Sequence, residues 1–252
     1  MLPSSSPPPV PAASIDLVLP CYNPPTGWVR TIADSTARLR ARLPHITWRV
    51  IVVNDGARSG VSPADVAVLT EQVPRLTYLA YEQNRGKGHA LRHGIRAATA
   101  PITIFTDIDF PYTEDSLVGV ATTLLGGGAD VVTGARDESY YSAAPPSRQL
   151  ISKLLRHATR SLLGLAVSDT QAGLKGFNAA GRAVFLRTTT DRYLFDLEFI
   201  FLASHKSGGA AALRVLPLPV RLRPGIVFSK MNWKILLSES RSFARILRQR
   251  WM

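Results

Sequence analysis

The sequence predicts an α/β fold in which a mostly parallel sheet carries helices on both faces. Short apolar segments alternate with segments of helical period from residue 15 to residue 136. The apolar segments contain few polar positions, which is typical of strands buried on both faces of a parallel sheet. Polar loops rich in glycine and proline follow four of them, and the carboxyl ends of parallel strands meet at one edge of a sheet.

Each element follows from a local pattern. Runs of apolar and β-branched residues between turn-forming residues predict strands, and apolar residues recurring every three or four positions predict helices. The predicted strands are residues 15–20, 49–55, 76–82, 102–107 and 129–136. The predicted helices between them are residues 28–43, 63–72, 88–99 and 114–125.

The alternation changes after residue 136. Further helices are predicted at residues 148–164, 179–188 and 194–208. Residues 214–223 are predicted to form an edge strand or an extended segment, because they contain prolines. We expect one domain over residues 14–228, after a disordered Pro/Ser-rich tail (1–13) and before a basic amphipathic helix (229–252).

Composition excludes several classes of protein. The 252-residue chain has a single cysteine, Cys21, which excludes an internal disulfide framework and a cysteine zinc cluster. We find no apolar run long enough to span a bilayer, and the N-terminal residues lack the features of a secretory signal. The net charge of +12 favours partners that carry phosphate groups: a nucleotide, a nucleic acid or an anionic lipid.

The strand predicted at residues 102–107 runs directly into two acidic residues, Asp107 and Asp109. In an extended backbone, residues two apart point to the same face, so the two carboxylates would crowd one spot and repel each other. A Mg²⁺ or Mn²⁺ ion between them would turn that repulsion into attraction. Two acids on a solvated loop are the alternative. The position at the ligand-binding edge favours the metal site.

Two other loops contain candidate ligands. Asp55 ends the second strand and can accept hydrogen bonds from a base or a sugar, or act as an ordinary turn aspartate. Residues 84–88, NRGKG, offer glycines for a close backbone approach and Lys87 as a charge for a phosphate. They do not form a P-loop, because no serine or threonine follows the lysine. A glycine-rich helix start with a solvated lysine is the alternative.

Five segments occur along the chain in the order PCYN, VVNDG, NRGKGHALRHG, TDID and SDTQAGLKGF. In these segments the chain resembles family 2 glycosyltransferases, and more narrowly the dolichyl- or polyprenyl-phosphate hexose synthases of mannosyl and glucosyl type. The resemblance covers roughly residues 14–205. It implies a GT-A fold, a nucleotide-sugar donor, a divalent metal (Mg²⁺ or Mn²⁺) and inversion at the anomeric carbon.

The resemblance also implies which residues contact the donor. Pro20, Tyr22 and Asp55 match residues that contact the nucleoside, and Asp107 and Asp109 match those that serve the metal and the diphosphate. The full set of predicted donor-binding residues is Pro20, Tyr22, Asn23, Asp55, Asn84, Lys87 and Asp107.

An acceptor site follows from the same resemblance. In the lipid-phosphate members of the family, two arginines and a serine hold the acceptor phosphate, and the matching residues are Arg136, Arg148 and Ser152. The spacing of Arg148 and Ser152 places both on one face of a helix. A solvated helix start is the alternative for that pair.

Four further residues match recurring positions of the family: Gln171, Lys175, Asp196 and Glu198. We predict that Gln171 and Lys175 belong to the acceptor site. Asp169 and Gln171 could order the acceptor loop, and a role as buried partners of arginine is an equally good interpretation.

Two departures from the family pattern concern the donor. The chain has Pro24 where the family usually has glutamate, and Asn54 in place of the first of two aspartates. The base therefore stays open between UDP and GDP, with UDP-glucose preferred over GDP-mannose. The implied reaction is transfer of the hexose to a polyprenyl or dolichyl phosphate, an anionic acceptor that needs positioning more than a general base.

The C-terminal segment is strongly basic. Residues 221–252 contain eight Lys or Arg residues and one Glu. Lys234, Arg241, Arg245 and Arg248 form a basic stripe on a predicted amphipathic helix. That helix either packs on the sheet with a solvated face or lies on anionic lipid headgroups. The second interpretation predicts a cytoplasmic protein bound peripherally at the inner face of the membrane.

Three alternative functions stay open. The same donor chemistry could serve a hydroxyl acceptor, with Asp137 or Glu198 as the general base. The basic composition could mark a nucleic-acid-binding protein, although we find no nucleic-acid motif and expect no such partner. Asn54 and Pro24 are also compatible with a non-catalytic protein that binds nucleotide sugars.

Overall fold

A computed structural model of the chain describes residues 13–136, 172–205 and 211–224. The strands in these ranges are β1 (Ser14–Cys21), β2 (Thr47–Asp55), β3 (Leu76–Tyr81), β4 (Ile102–Phe105), β5 (Val131–Arg136), β6 (Lys175–Phe177) and β7 (Val215–Val220). The helices are α1 (Trp28–Arg42), α2 (Pro63–Gln72), α3 (Lys87–Arg96), α4 (Glu114–Leu125), α5 (Ala179–Phe185) and α6 (Phe195–Ser204).

The strands form one seven-stranded sheet in the order β3-β2-β1-β4-β6-β5-β7. Of the described strands only β6 is antiparallel to its neighbours. The strand order reverses at β1, which has β2 on one side and β4 on the other. In open α/β sheets such a switch creates a crevice at the carboxyl ends of the strands, where ligands bind. The predicted α/β fold with a mostly parallel sheet is confirmed.

Apolar residues cover both faces of the sheet. In β1, Leu17 and Leu19 belong to the same core cluster as Leu117 of α4, whereas Val18 belongs to a second core cluster that contains Phe199 of α6. Successive side chains of a strand point to opposite faces, so a strand covered on both sides needs apolar residues at nearly every position. Apolar residues at nearly every strand position therefore correctly predicted a sheet with helices on both of its faces.

Every strand and helix predicted before residue 137 is present, with ends shifted by a few residues. The largest difference for the site is that β4 ends at Phe105, not at Asp107. The three-residue strand β6 was not predicted, because so short a segment shows no period of its own. The edge strand predicted at residues 214–223 is confirmed as β7, where Pro217 and Pro219 lie at the edge of the sheet.

Three of the predicted segments lie outside the described residues: the tail (1–13, apart from Ala13), the helix at 148–164 and the C-terminal helix (229–252). The proposed domain boundaries therefore stay predictions. Among the helices in the described ranges, none has both the length and the hydropathy required to cross a bilayer.

Candidate active site

The loop after β4 is a tight turn. The N–H of Phe110 donates to the carbonyl oxygen of Asp107 at 3.0 Å, and Phe110 has a φ of +48°. The expectation of an extended backbone through Asp107 and Asp109 is therefore wrong, because the chain turns between them. A bulky residue in the left-handed region costs about 1–3 kcal/mol and persists only where its surroundings fix it. Phe110 meets that condition, since it is fully buried.

The two carboxylates nevertheless influence each other. Partial burial and the neighbouring charge of Asp107 raise the pKa of Asp109. Asp109 forms no ion pair with the described part of the chain, whereas Asp107 does. A divalent cation would relieve the repulsion between the two acids, and carboxylate oxygens are the hard ligands that Mg²⁺ and Mn²⁺ prefer.

No cluster of three or more His, Cys, Asp or Glu side chains suited to a metal occurs among the described residues. A cation held by Asp107 and Asp109 would therefore take its remaining oxygens from other groups, such as a bound diphosphate and water. Mg²⁺ is commonly bound in this way, through one or two carboxylates and the phosphates of a substrate. The donor set fits a metal that is shared with a phosphorylated ligand.

Lys87 begins α3 and lies next to the first of these acids. Its Nζ is 2.5 Å from Oδ1 of Asp107. Burial opposes the charged form of Lys87, but Asp107, Asp196 and Asp109 outweigh it and raise the pKa of the ammonium. A permanent positive charge thus lies beside the turn, where it can meet an anionic ligand.

Gly173 packs against the other side of Asp107. A Cβ atom at this position would lie 2.4 Å from Oδ2 of Asp107 and 3.7 Å from Nζ of Lys87. The N–H of Gly173 donates to the hydroxyl of Tyr112 at 3.0 Å. A side chain here would displace the carboxylate from its present position.

Lys175 lies in the interior, beneath this glycine. Its side chain is fully buried, with Nζ 2.7 Å from Oδ1 of Asp196 and donating to the carbonyl oxygen of Ala172 at 2.6 Å. Burial raises the pKa of Asp196, and Lys175 opposes that shift. Asp196 is thus a buried partner of a lysine, not of an arginine. The predicted acceptor contact of Lys175 would require this pair to open.

Asp55 organises the loop between β3 and α3. Its carboxylate is buried and accepts hydrogen bonds from Tyr81 Oη at 2.8 Å and Asn84 Nδ2 at 2.7 Å. It also accepts from the N–H groups of Arg85 at 2.7 Å and Gly86 at 2.9 Å. Burial and the hydrogen bond to Asp55 raise the pKa of Tyr81. Asp55 and Asn84, both predicted to bind the donor, are therefore bonded to each other.

The glycines of the NRGKG segment permit a close approach of protein backbone. A Cβ on Gly86 would lie 2.5 Å from the carbonyl oxygen of Asp191, and one on Gly88 would lie 2.4 Å from that of Thr190. The N–H groups of Gly88 and His89 donate to the Asp191 carbonyl at 2.8 and 3.2 Å. The close approach at these glycines is to the chain's own backbone at residues 190–191, which accepts hydrogen bonds from the helix-start amides, and a phosphate contact stays a prediction.

The loop after β1 joins the loop after β2. Asn23, with a φ of +44°, accepts hydrogen bonds at Oδ1 from the N–H groups of Arg58 at 2.9 Å and Ser59 at 3.2 Å. Pro20 is partly buried at the end of β1, and the side chain of Tyr22 is 46% exposed beyond it. The predicted convergence of these loops is present, and Tyr22 offers an accessible ring.

Asn54 and Pro24, the two residues that depart from the family pattern, both contact neighbouring loops or strands. Asn54 donates from Nδ2 to the hydroxyl of Tyr78 at 2.9 Å and accepts from the N–H of Ala57 at 2.8 Å. Pro24 is buried, and its carbonyl oxygen would lie 2.8 Å from a Cβ on Gly60. Both residues therefore shape the crevice walls.

The acceptor predictions are only partly within the described residues. Arg136 ends β5, at the same edge of the sheet as Asp107. Arg148, Ser152 and Gln171 lie outside the described ranges. Their roles stay predictions.

Glu198, one of the two general-base candidates, is fully buried. It accepts hydrogen bonds from Thr189 N–H at 3.0 Å, Thr189 Oγ1 at 2.9 Å and Thr190 N–H at 2.8 Å. It holds the loop that covers the start of α3, so the structure does not present it to an acceptor hydroxyl.

Comparison with known proteins agrees with this geometry. Residues 16–187 match the family model described as glycosyl transferase family 2. The dolichyl-phosphate beta-glucosyltransferase of Saccharomyces cerevisiae is 26% identical over 212 residues, which cover 76% of this chain and 63% of the yeast protein. The Drosophila melanogaster protein of the same name is 28% identical over 211 residues, with 77% and 64% covered. The chain thus spans less than two thirds of the length of these relatives.

A solved structure has a similar fold. Glucosyl-3-phosphoglycerate synthase from Mycobacterium tuberculosis, in complex with Mn²⁺, UDP and phosphoglyceric acid, superposes with a TM-score of 0.63 at 19% identity. The match covers 94% of this chain and 78% of that one. At this identity the likeness establishes the fold, and the predicted GT-A architecture is confirmed.

Proposed function

The chain belongs to glycosyl transferase family 2, and from this membership we propose that it transfers a hexose, preferably glucose from UDP-glucose, to a polyprenyl or dolichyl phosphate. Relatives named for glucosyl transfer to dolichyl phosphate support the sugar and the acceptor. The proposal rests above all on the Asp107–Asp109 turn, which lies with Lys87 at the switch in strand order.

In the proposed reaction, an oxygen of the lipid phosphate forms a bond to the anomeric carbon while the bond from that carbon to the diphosphate breaks. The nucleoside diphosphate leaves with the electron pair. Attack opposite the leaving group inverts the anomeric carbon. The acceptor phosphate is already anionic near neutral pH, so no side chain has to remove a proton from it, and orientation is the main requirement.

The leaving group is the part of the reaction that the described residues serve best. Asp107 and Asp109 would hold a Mg²⁺ or Mn²⁺ ion, which supplies Lewis-acid stabilisation of the departing diphosphate. The Mn²⁺ in the Mycobacterium tuberculosis structure supports a metal of this kind. Lys87 adds a positive charge on the same side, oriented by Asp107 at 2.5 Å. The absence of a side chain at Gly173 leaves room for the Asp107 carboxylate.

The donor's nucleoside would lie between the loops that follow β1 and β2. The exposed ring of Tyr22 can stack on a base, with Pro20 and Asn23 beside it. Asp55 has four hydrogen-bond donors from its own chain, so we infer that it acts mainly by shaping the loop at residues 84–86.

The acceptor phosphate would be held by Arg136, Arg148 and Ser152, with Gln171 nearby. Arginine forms charge-assisted, bidentate hydrogen bonds with phosphate, which suits an anion that must be oriented. The burial of Glu198 weighs against a hydroxyl acceptor, because it removes one of the two candidate bases. A lipid phosphate acceptor needs neither of these bases.

The direct test is transfer of radiolabelled hexose to polyprenyl phosphate. We expect labelled lipid from UDP-glucose in the presence of Mn²⁺ or Mg²⁺, less from GDP-mannose, and none with EDTA. Label in water-soluble saccharide alone would contradict the lipid acceptor. The absence of any transfer from a panel of nucleotide sugars would contradict the enzymatic function.

Arg148→Ala is expected to weaken use of the acceptor. Loss of a charge-assisted hydrogen bond costs about 2 kcal/mol, so KM for polyprenyl phosphate should rise about 30-fold while KM for the donor stays nearly unchanged. Arg30→Ala is the matched control, since Arg30 is 87% exposed on α1. Equal acceptor KM values for the Arg148 variant and the wild type would remove this residue from the site.

We also propose that the basic C-terminal segment binds the enzyme to anionic lipid at the inner face of the membrane. Replacing Lys234, Arg241, Arg245 and Arg248 with glutamine should lower recovery on anionic liposomes by at least about tenfold, because each basic residue near such a surface contributes about 1 kcal/mol. Neutral liposomes are the control. Equal flotation of both proteins on anionic liposomes would contradict the proposal.

A further inference from the structure

The segment that follows β7 pairs with residues 111–113, directly after the turn that contains Asp107 and Asp109. The N–H of Arg223 donates to the carbonyl oxygen of Pro111 at 2.8 Å, and the N–H of Thr113 donates to the carbonyl oxygen of Arg221 at 2.9 Å. These bonds join the segment after β7 to the residues that follow the candidate metal turn, although more than a hundred residues separate the two segments in sequence.

The side chain of Arg223 reaches the turn itself. Its Cζ lies 5.8 Å from the centroid of the Phe110 ring, within the range of a cation–π contact. Its Nη2 donates to Oε1 of Glu114 at 2.9 Å and to Oγ of Ser35 at 3.1 Å, which anchors one end of the guanidinium. The side chain is 19% exposed, so most of it is packed.

Phe110 directly follows Asp109 and has a φ of +48°, in the left-handed region that a phenylalanine adopts only under constraint. Relaxation of that residue would rotate the preceding peptide and carry the Asp109 carboxylate away from Asp107. A guanidinium packed on the ring would oppose this relaxation. The angle between the two acids would then depend on a residue that touches neither of them.

We propose that Arg223 is a positioning residue of the metal turn, which holds Phe110 in place and so sets the orientation of Asp109. The proposal rests on the proposed function, because it assumes that Asp107 and Asp109 bind the cation. It assigns a role in metal affinity to a residue outside every segment that resembles the family.

A purely electrostatic role for Arg223 predicts the opposite change in metal affinity when the residue is removed. Its positive charge lies near Asp109 and would repel a cation, so removal of the charge alone would strengthen metal binding. A positioning role predicts weaker binding after removal of the guanidinium, even when the charge is kept.

Arg38 provides a matched control. Its Nε also pairs with Oε1 of Glu114, and its side chain is 50% exposed. Arg38→Met and Arg223→Met each remove one guanidinium from Glu114, but only Arg223 covers Phe110. A difference between the two variants therefore reports on Phe110 and not on the Glu114 ion pair.

The test is titration of the full chain with Mn²⁺, with free Mn²⁺ followed by electron paramagnetic resonance, in the presence and absence of UDP. We expect Arg223→Met and Arg223→Lys to bind Mn²⁺ about tenfold more weakly than the wild type, since residues that orient metal ligands typically change affinity by 10–100-fold. Arg38→Met should stay within about twofold of the wild type. Thermal unfolding of each variant identifies misfolded protein, and Arg223→Lys retains the charge and most of the stem should Arg223→Met not fold.

The outcomes separate this proposal from the one on which it rests. Wild-type affinity in Arg223→Lys, or tighter binding in Arg223→Met, would overturn the positioning role while Asp109→Asn still loses Mn²⁺. Wild-type protein that binds no Mn²⁺, or Asp109→Asn that binds it normally, would overturn the metal site itself and this role with it. Equal weakening in the Arg38 and Arg223 variants would assign the effect to Glu114 and also overturn the proposal.

Discussion

Asp109→Asn is expected to lower the rate of hexose transfer by at least about a hundredfold. The asparagine side chain has nearly the same shape, so the turn should keep its conformation, but one of the two negative charges at the proposed cation site is lost. The cation would then be held less well, and the diphosphate would depart without its full electrostatic stabilisation. Single-turnover transfer at saturating donor and Mn²⁺ measures this effect on the chemical step.

Asp115→Asn is the control for charge removal at this end of the sheet. Asp115 lies in the first turn of α4, is 78% exposed and pairs with Arg42, so its loss should leave turnover within about twofold of the wild type. Comparable losses in both variants would assign the effect to the general charge of the surface. Full activity of Asp109→Asn would contradict the role of Asp109 in the reaction.

Asp55→Asn is expected to destabilise the protein before any ligand is added. The buried carboxylate accepts hydrogen bonds from four donors on its own chain, and an amide in its place would present an N–H₂ group to some of them. Hydrogen bonds to a buried charged group are costly to lose, so the free energy of unfolding should fall by about 2–4 kcal/mol. The shift in the urea midpoint of the nucleotide-free protein measures it.

Asp34→Asn provides the comparison, because Asp34 is 53% exposed in an i, i+4 pair on α1 and should change stability by less than about 0.5 kcal/mol. An unchanged midpoint for Asp55→Asn together with loss of nucleotide binding would favour the sequence-based prediction that Asp55 contacts the nucleoside directly. A lower midpoint would support its role as the anchor of the loop at residues 84–86.

Local pattern was sufficient to predict most of the fold. Alternation of apolar and amphipathic segments depends on neighbours in sequence, and it correctly predicted the strands and helices up to residue 136. It did not predict β6, whose three residues pair with β4 and β5 far away in sequence. A strand of that length has too few positions to display a period.

The sequence predicted that these loops lie at one edge of the sheet, but it did not predict the contacts within them. Lys87 and Asp107 are in contact at the predicted edge, and Asp55 bonds to the residues that directly precede Lys87. Gly173 and Arg223 were missed, because each acts through contact with a distant segment, Asp107 in one case and Phe110 in the other. Of these two residues only Gly173 could have been noticed in the sequence, because a glycine beside a strand indicates that another part of the protein approaches it closely.

Lys175 is a further residue whose contacts could not be predicted from the neighbouring sequence. A lysine in a loop that resembles an acceptor segment is expected to face its ligand, and on average lysines are exposed. Here the ammonium is fully buried with Asp196 and the Ala172 carbonyl. Burial depends on the complete fold, so no pattern of neighbouring residues could have predicted it.

The central claim is that a divalent cation at Asp107 and Asp109 binds the diphosphate of the donor. Calorimetric titration of UDP and GDP into the full chain, with Mn²⁺ and then with EDTA, tests it most directly. We expect nucleotide to bind with Mn²⁺, to bind at least about tenfold more weakly with EDTA, and to lose that difference in Asp109→Asn. Equal affinity with Mn²⁺ and with EDTA in the wild type would contradict the claim.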